Sequence, residues 1–241
     1  MRRDQYELGG GTVIAYGHYG RPFLVFPSEQ GRAWDFESNG MIDAVRPLLE
    51  DGRAKLYCVD SFDAASWSNP SLPNEARAHQ HGVYESWIID QVVPSIHADC
   101  GGPVEITTVG CSLGAFHSVL FGLRRADLFP MAFGMSGNYD PSTWDGWGER
   151  GDASYFTNPV DFVPNLHGDH LDWLRSRLSV LLVVGQGQWE DSTGSLPSTR
   201  QFADLLQSKG LRCELDVWGH DVPHDWPSWR AQFAHHLPRF C

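Results

Sequence analysis

A serine hydroxyl becomes an effective nucleophile only when a base lies within hydrogen-bond reach and a carboxylate orients that base. One stretch of the chain is suited to presenting such a serine: Thr108-Val109-Gly110-Cys111-Ser112-Leu113-Gly114-Ala115. It has the form G-x-S-x-G, with Ser112 at the centre. A β-branched run over 104–109 leads in, and an amphipathic helical run over 115–125 leads out. This is the strand–turn–helix context of a nucleophile elbow. Gly110 and Gly114 lack the Cβ atoms that would collide in so sharp a turn. Ser112 then stands at a helix N-terminus, where free amides and the helix dipole favour a developing negative charge.

In such a sheet the acid follows a late strand and the base follows the last one. The strand-like run 179–184 is followed by G-Q-G-Q-W-E-D, which offers Glu190 or Asp191. The run 213–217 is followed by W-G-H-D-V-P-H-D-W-P, which offers His220 or His224. Cys111 is off-centre between the two glycines and reads as a small buried neighbour of the serine. His79 and His81, and the pair His235 and His236, lack a Cys or Asp/Glu set at ligand spacing, so no metal site is expected. His167, Asp169 and His170 read as a solvated loop. Trp67, Trp144 and Trp147 fall in expected loops, either as a local core or as walls of a substrate site.

The elements that must position these residues alternate along the chain. Segments 6–8 and 12–16 flank three glycines and read as a hairpin. Strands are expected at 22–26, 56–59, 131–135, 179–184 and 213–217. Helices are expected at 41–49 with Asn39 as N-cap, at 75–97 with Pro94 as kink or boundary, at 199–209 and at 227–237. The stretch 141–177 reads as an irregular excursion over the site, cap-like in position. The alternation predicts an α/β chain with a mostly parallel central sheet and helices on both faces.

Composition narrows the remaining choices. The 241 residues suit one α/β domain spanning 1–241, and 41% apolar with 20% charged residues is a globular balance. A net charge of −12 argues against nucleic acid or an anionic membrane as partner. No secretory leader pattern opens the chain, and no apolar run is long enough to cross a bilayer. Five scattered cysteines form no C-x-x-C pair, so reduced thiols in a cytoplasmic protein are expected.

G-C-S-L-G-A at 110–115, M-S-G-N-Y-D at 135–140, G-Q-G-Q-W-E at 185–190 and above all H-D-W-P-S-W at 224–229 resemble the esterase D / antigen 85-like group of α/β-hydrolases. The resemblance runs from about Phe23 to the C-terminus. It implies an α/β-hydrolase fold, His224 rather than His220 as base, and Glu190 rather than Asp191 as acid. The group usually places glycines in the loop after the third strand, where this chain has Pro27-Ser28-Glu29-Gln30-Gly31. The implied chemistry is hydrolysis of a small-molecule ester through an acyl-enzyme on Ser112. The oxyanion would be met by the backbone N–H groups of Leu113 and Glu29, with no cofactor. Rival readings are an acyltransferase or thioesterase on the same triad, or a non-catalytic binding protein that keeps the fold. The substrate and the oligomeric state are not legible.

Overall fold

A computed structural model describes residues 1–241. Its eight strands are β1 (Arg3–Leu8), β2 (Gly11–Tyr16), β3 (Arg21–Phe26), β4 (Ala54–Val59), β5 (Thr107–Cys111), β6 (Met131–Met135), β7 (Ser179–Val184) and β8 (Arg212–Val217). They form one sheet in the order β1-β2-β4-β3-β5-β6-β7-β8. The hairpin β1–β2 turns at Gly9 and Gly10, both at positive φ, as a two-residue loop demands. β2 is antiparallel to β4, and every pairing from β4 onward is parallel.

The inner strands are apolar on both sides because both faces are covered. Phe23 and Val25 of β3 join a core with Phe36, Met41, Leu49, Trp229 and Phe233. Leu24 and Phe26, pointing the other way, pack with Tyr84, Trp87, Ile88 and Phe121. β7 repeats the division: Leu181 and Val183 belong to the first core, while Val180 and Leu182 face Val119, Phe202 and Leu206.

The helices depart from the expectation or refine it in three places. The 41–49 run is broken into Met41–Ala44 and Arg46–Glu50, and Gly40 at φ 74, not Asn39, stands at its start. Pro94 lies at a boundary, in the first turn of a new α segment, and what the sequence does not show is the kind of junction. A widened π turn, Ile88–Val92, links Asn74–Trp87 to Val93–Asp99 and accommodates the missing proline N–H. The 141–177 excursion is not irregular: it contains the helices Asp152–Thr157, Pro159–Phe162 and Gly168–Arg177. These are short and follow proline or glycine breaks, so no long apolar period announces them. No helix is long and apolar enough to cross a membrane.

β3 and β5 are neighbours, yet the chain leaves β3 towards β4 on one side and β5 towards β6 on the other. The crevice at such a switch point is where open α/β sheets bind ligands. The loops after β3, β4, β5, β6, β7 and β8 all open at this edge.

Candidate active site

Ser112 alone separates β5 from the helix Leu113–Arg124, at φ 55 and ψ −123. Side-chain-bearing residues avoid this region, and holding one there costs about 1–3 kcal/mol. The glycines make the turn possible. A Cβ on Gly110 would lie 2.2 Å from the carbonyl oxygen of Gly114, and one on Gly114 would lie 2.2 Å from that of Pro27. Ser112 N–H donates to Met135 O at 2.9 Å, which pins the turn to β6.

His224 sits just before the helix Trp226–His236. Asp225 caps that helix by accepting from Ser228 N–H at 3.0 Å, and Pro227 fits its first turn. The D-W-P-S sequence thus starts a helix immediately after the histidine and holds the histidine's backbone in place. His224 N–H donates to Gln188 O at 2.9 Å, and the imidazole meets Trp229 edge to face at 4.9 Å.

The side chains converge here. His224 Nε2 is 3.0 Å from Ser112 Oγ, and His224 Nδ1 is 3.1 Å from Glu190 Oε2. Glu190 is fully buried. Its other oxygen, Oε1, accepts from Ser136 Oγ at 2.6 Å and from Gly185 N–H at 3.2 Å. A buried carboxylate needs such donors. Asp191 and His220 are exposed and take no part. Cys111 is fully buried, and burial holds its thiol well above the ordinary range, so it is no thiolate.

Leu113 is the first residue of its helix, so its N–H has no partner within the helix. Glu29 N–H also meets no acceptor in the protein. In the loop after β3, Gln30 stands at φ 53, a left-handed position that glycine would ordinarily take. Both residues line a cleft of about 460 Å³ with Ser112, Trp67, Trp144, Arg77 and Asn138. Trp67 meets Trp144 at 5.3 Å and Phe116 at 5.8 Å, each nearly perpendicular. Trp147 does not line the cleft: it is 55% exposed and donates through its indole N–H to Pro70 O.

The remaining histidines lie elsewhere. His79 is an exposed neighbour of Glu75, and His81 is buried against His117. His236 bonds to Asp216 and His235 lies on Trp218. His167, Asp169 and His170 are exposed.

Two contributors have no role in the sequence reading. Ser136 lies inside the M-S-G-N-Y-D motif, and its position directly after β6 was the available signal. Arg77 donates to the carbonyls of Leu72, Trp67 and Asp145, joining the two tryptophan-bearing loops, and carries no comparable signal.

A mostly parallel sheet with its strained serine turn at the switch-point edge defines an α/β-hydrolase. Residues 50–240 match the family model described as "Putative esterase", and the chain belongs to that esterase family. This agrees with the resemblance read from the motifs. Solved structures share the fold over 99% of this chain. One is a ferulic acid esterase, at TM-score 0.74 and 15% identity over 96% of that chain. Another is MPT51 (FbpC1) of Mycobacterium tuberculosis, at 0.74 and 14% over 97%. A third is the S-formylglutathione hydrolase FrmB of Staphylococcus aureus, at 0.70 and 12% over 97%. At these identities the likeness is one of fold. No curated protein matches the chain by sequence.

Proposed function

We propose that the protein hydrolyses carboxylic esters through an acyl-enzyme intermediate. One observation carries this reading: Ser112 Oγ, the His224 ring and the Glu190 carboxylate are joined at 3.0 and 3.1 Å. His224 Nε2 takes the hydroxyl proton as Oγ attacks the ester carbonyl carbon. Glu190 accepts from Nδ1–H, which fixes the tautomer and stabilises the imidazolium. The N–H groups of Leu113 and Glu29 meet the oxyanion, and each such donor is worth about 3 kcal/mol in the transition state. The carbon–oxygen bond then breaks and His224 protonates the leaving alcohol. Water, deprotonated by the same ring, attacks the acyl group and releases the acid, and Ser112 regains its proton.

Trp67 and Trp144 offer the substrate apolar faces, and Ser68, Asn138, Thr193 and Ser195 make the rest of the cleft polar. The 141–177 excursion acts as a partial cover within one domain, through Trp144 and Asp145. The chemistry calls for no cofactor. The five unpaired thiols suit a reducing, cytoplasmic setting.

The test is fluorophosphonate labelling with peptide mapping, alongside turnover of short p-nitrophenyl esters. Label on Ser112, and loss of both label and turnover in Ser112→Ala, is the expected result. Hydrolysis that survives Ser112→Ala overturns the reading, as does a wild-type protein that turns over no ester. Acyl transfer to an added alcohol or amine in preference to water would move the assignment to an acyltransferase.

A further inference from the structure

Asp63 lies outside the Ser112–His224–Glu190 relay, yet its carboxylate touches both segments that bear the oxyanion donors proposed above. It is 1% exposed. Oδ2 accepts from Gln30 N–H at 3.2 Å, in the loop after β3. Oδ1 is 3.0 Å from His117 Nε2, on the helix that begins at Leu113. The Gln30 N–H belongs to the peptide that directly follows the one bearing the Glu29 N–H, and His117 lies about one helical turn beyond Leu113. A single buried carboxylate therefore joins the two segments.

The partners on both sides are constrained. His117 is fully buried and its Nδ1 meets no partner, so its one hydrogen bond is the one from Nε2–H to Asp63. The ring is stacked on His81 at 5.2 Å and packed against Tyr84, Phe116 and Phe26 at 5.3, 5.4 and 5.8 Å. It has no room to swing away. Gln30, at φ 53, holds a left-handed conformation that a non-glycine residue disfavours. A loop kept off its preferred backbone needs an external tie. Asp60 and Ser61 secure its far end, through Ala33 N–H to Asp60 Oδ1 at 3.0 Å and Ser61 N–H to Gly31 O at 3.1 Å. Nearer Glu29, Gly31 N–H closes the turn onto Ser28 O at 2.9 Å and the Glu29 side chain accepts from Ser68 Oγ; the Asp63 bond ties the backbone amide next to Glu29 to the body of the protein.

We propose that Asp63 is a positioning residue for the oxyanion hole. By tying Gln30 N–H to His117, it fixes the Glu29 amide relative to that of Leu113. Apolar packing would fill the same space without the cost of burying a carboxylate, so the bridge answers to a geometric demand. The inference rests on the reading of Ser112 as nucleophile and of Glu29 and Leu113 as donors.

The test compares full-length wild type, Asp63→Ala, Asp63→Asn, His117→Gln and Ser112→Ala. The readouts are turnover of a p-nitrophenyl ester and inhibition by a trifluoromethyl ketone, which forms a tetrahedral adduct on a serine. In Asp63→Ala, kcat should fall about 10- to 100-fold with KM within about twofold, and the ketone's Ki should rise by the same factor as kcat/KM falls. Asp63→Asn should recover most of the rate, because its amide oxygen still accepts from Gln30 N–H. His117→Gln should repeat the pattern from the helix side, and it decides the matter if Asp63→Ala does not fold. Folded variants with wild-type kcat, a loss confined to KM, or a Ki that does not follow kcat/KM would overturn the role of Asp63. Those outcomes leave the esterase reading intact, which fails if Ser112→Ala stays active or if wild type turns over no ester.

Discussion

The hydroxyl of Ser136 donates to Glu190 Oε1 at 2.6 Å, on the edge of the carboxylate that His224 does not use. Ser136 sits at φ 53 directly after β6, and its own N–H donates to Val183 O at 2.7 Å. It is therefore a rigid support for a buried charge. Ser136→Ala leaves Oε1 with Gly185 N–H alone. Unfolding should become easier by about 1–3 kcal/mol, the cost of an unmet buried acceptor, and kcat should fall with it. Thermal denaturation and steady-state kinetics check both, and unchanged stability would mean that the bond carries no load.

Glu190→Gln keeps the shape of the acid but removes its charge and its preference for one imidazole tautomer. Turnover should drop by about 10³- to 10⁴-fold with the circular dichroism spectrum unchanged. Asp191→Asn and His220→Ala change exposed groups that touch neither serine nor imidazole, so both should keep wild-type rates. A large loss in either would redirect the assignment of acid or base.

Gly114→Ala places a methyl 2.2 Å from Pro27 O and 2.6 Å from Phe26 O. Both contacts are backbone, so no side chain can swing aside. The loop after β3 must move away from Leu113 instead. Stability should fall by about 1–3 kcal/mol or more, and ester turnover should fall further than that loss alone explains. Denaturant titration with kinetics on the folded fraction separates the two effects.

The excursion is fastened to the body by Glu75. Its carboxylate accepts from Gly151 N–H at 2.7 Å, Ala153 N–H at 2.8 Å, Ser154 N–H at 3.0 Å and Ser154 Oγ at 2.7 Å. Desolvation works against the charged form. The Ser154 hydroxyl and the amides of Ser154, Gly151 and Ala153 outweigh it and hold the group at about 2, below its ordinary 4.5. A depressed folded pKa stabilises fully above the unfolded value and less as pH falls through the folded one. Amide protection over 151–157 should therefore be full above pH 4.5 and decline towards pH 2. In Glu75→Gln it should be low throughout. Hydrogen exchange at several pH values tests this, and identical profiles for the two proteins would refute it.

Local sterics and hydrophobic period made the framework legible. Gly9 and Gly10 between two alternating runs announce the hairpin. The G-x-S-x-G stretch can join strand to helix only by a turn that forbids Cβ atoms at Gly110 and Gly114. Where the pattern is short or interrupted, the reading loses detail. Val45 and Pro47 split one expected helix, and the proline- and glycine-punctuated excursion conceals three.

The site divides along the same line. Sequence alone singled out Ser112 as the candidate nucleophile, because its signal is local. It also reduced acid and base to two neighbours each, Glu190 or Asp191 and His220 or His224. Within each pair the chemistry is the same, and the family resemblance favoured one member. Only the tertiary structure separates the members by contact: Glu190 is buried against Ser136 and His224 reaches Ser112, while Asp191 and His220 stay in water. Asp63 was invisible for the same reason, and for Ser136 the motif after β6 marked a place but not a partner. Nothing in their flanking residues foretells the partners they meet, since burial and hydrogen bonding across loops are properties of the folded chain.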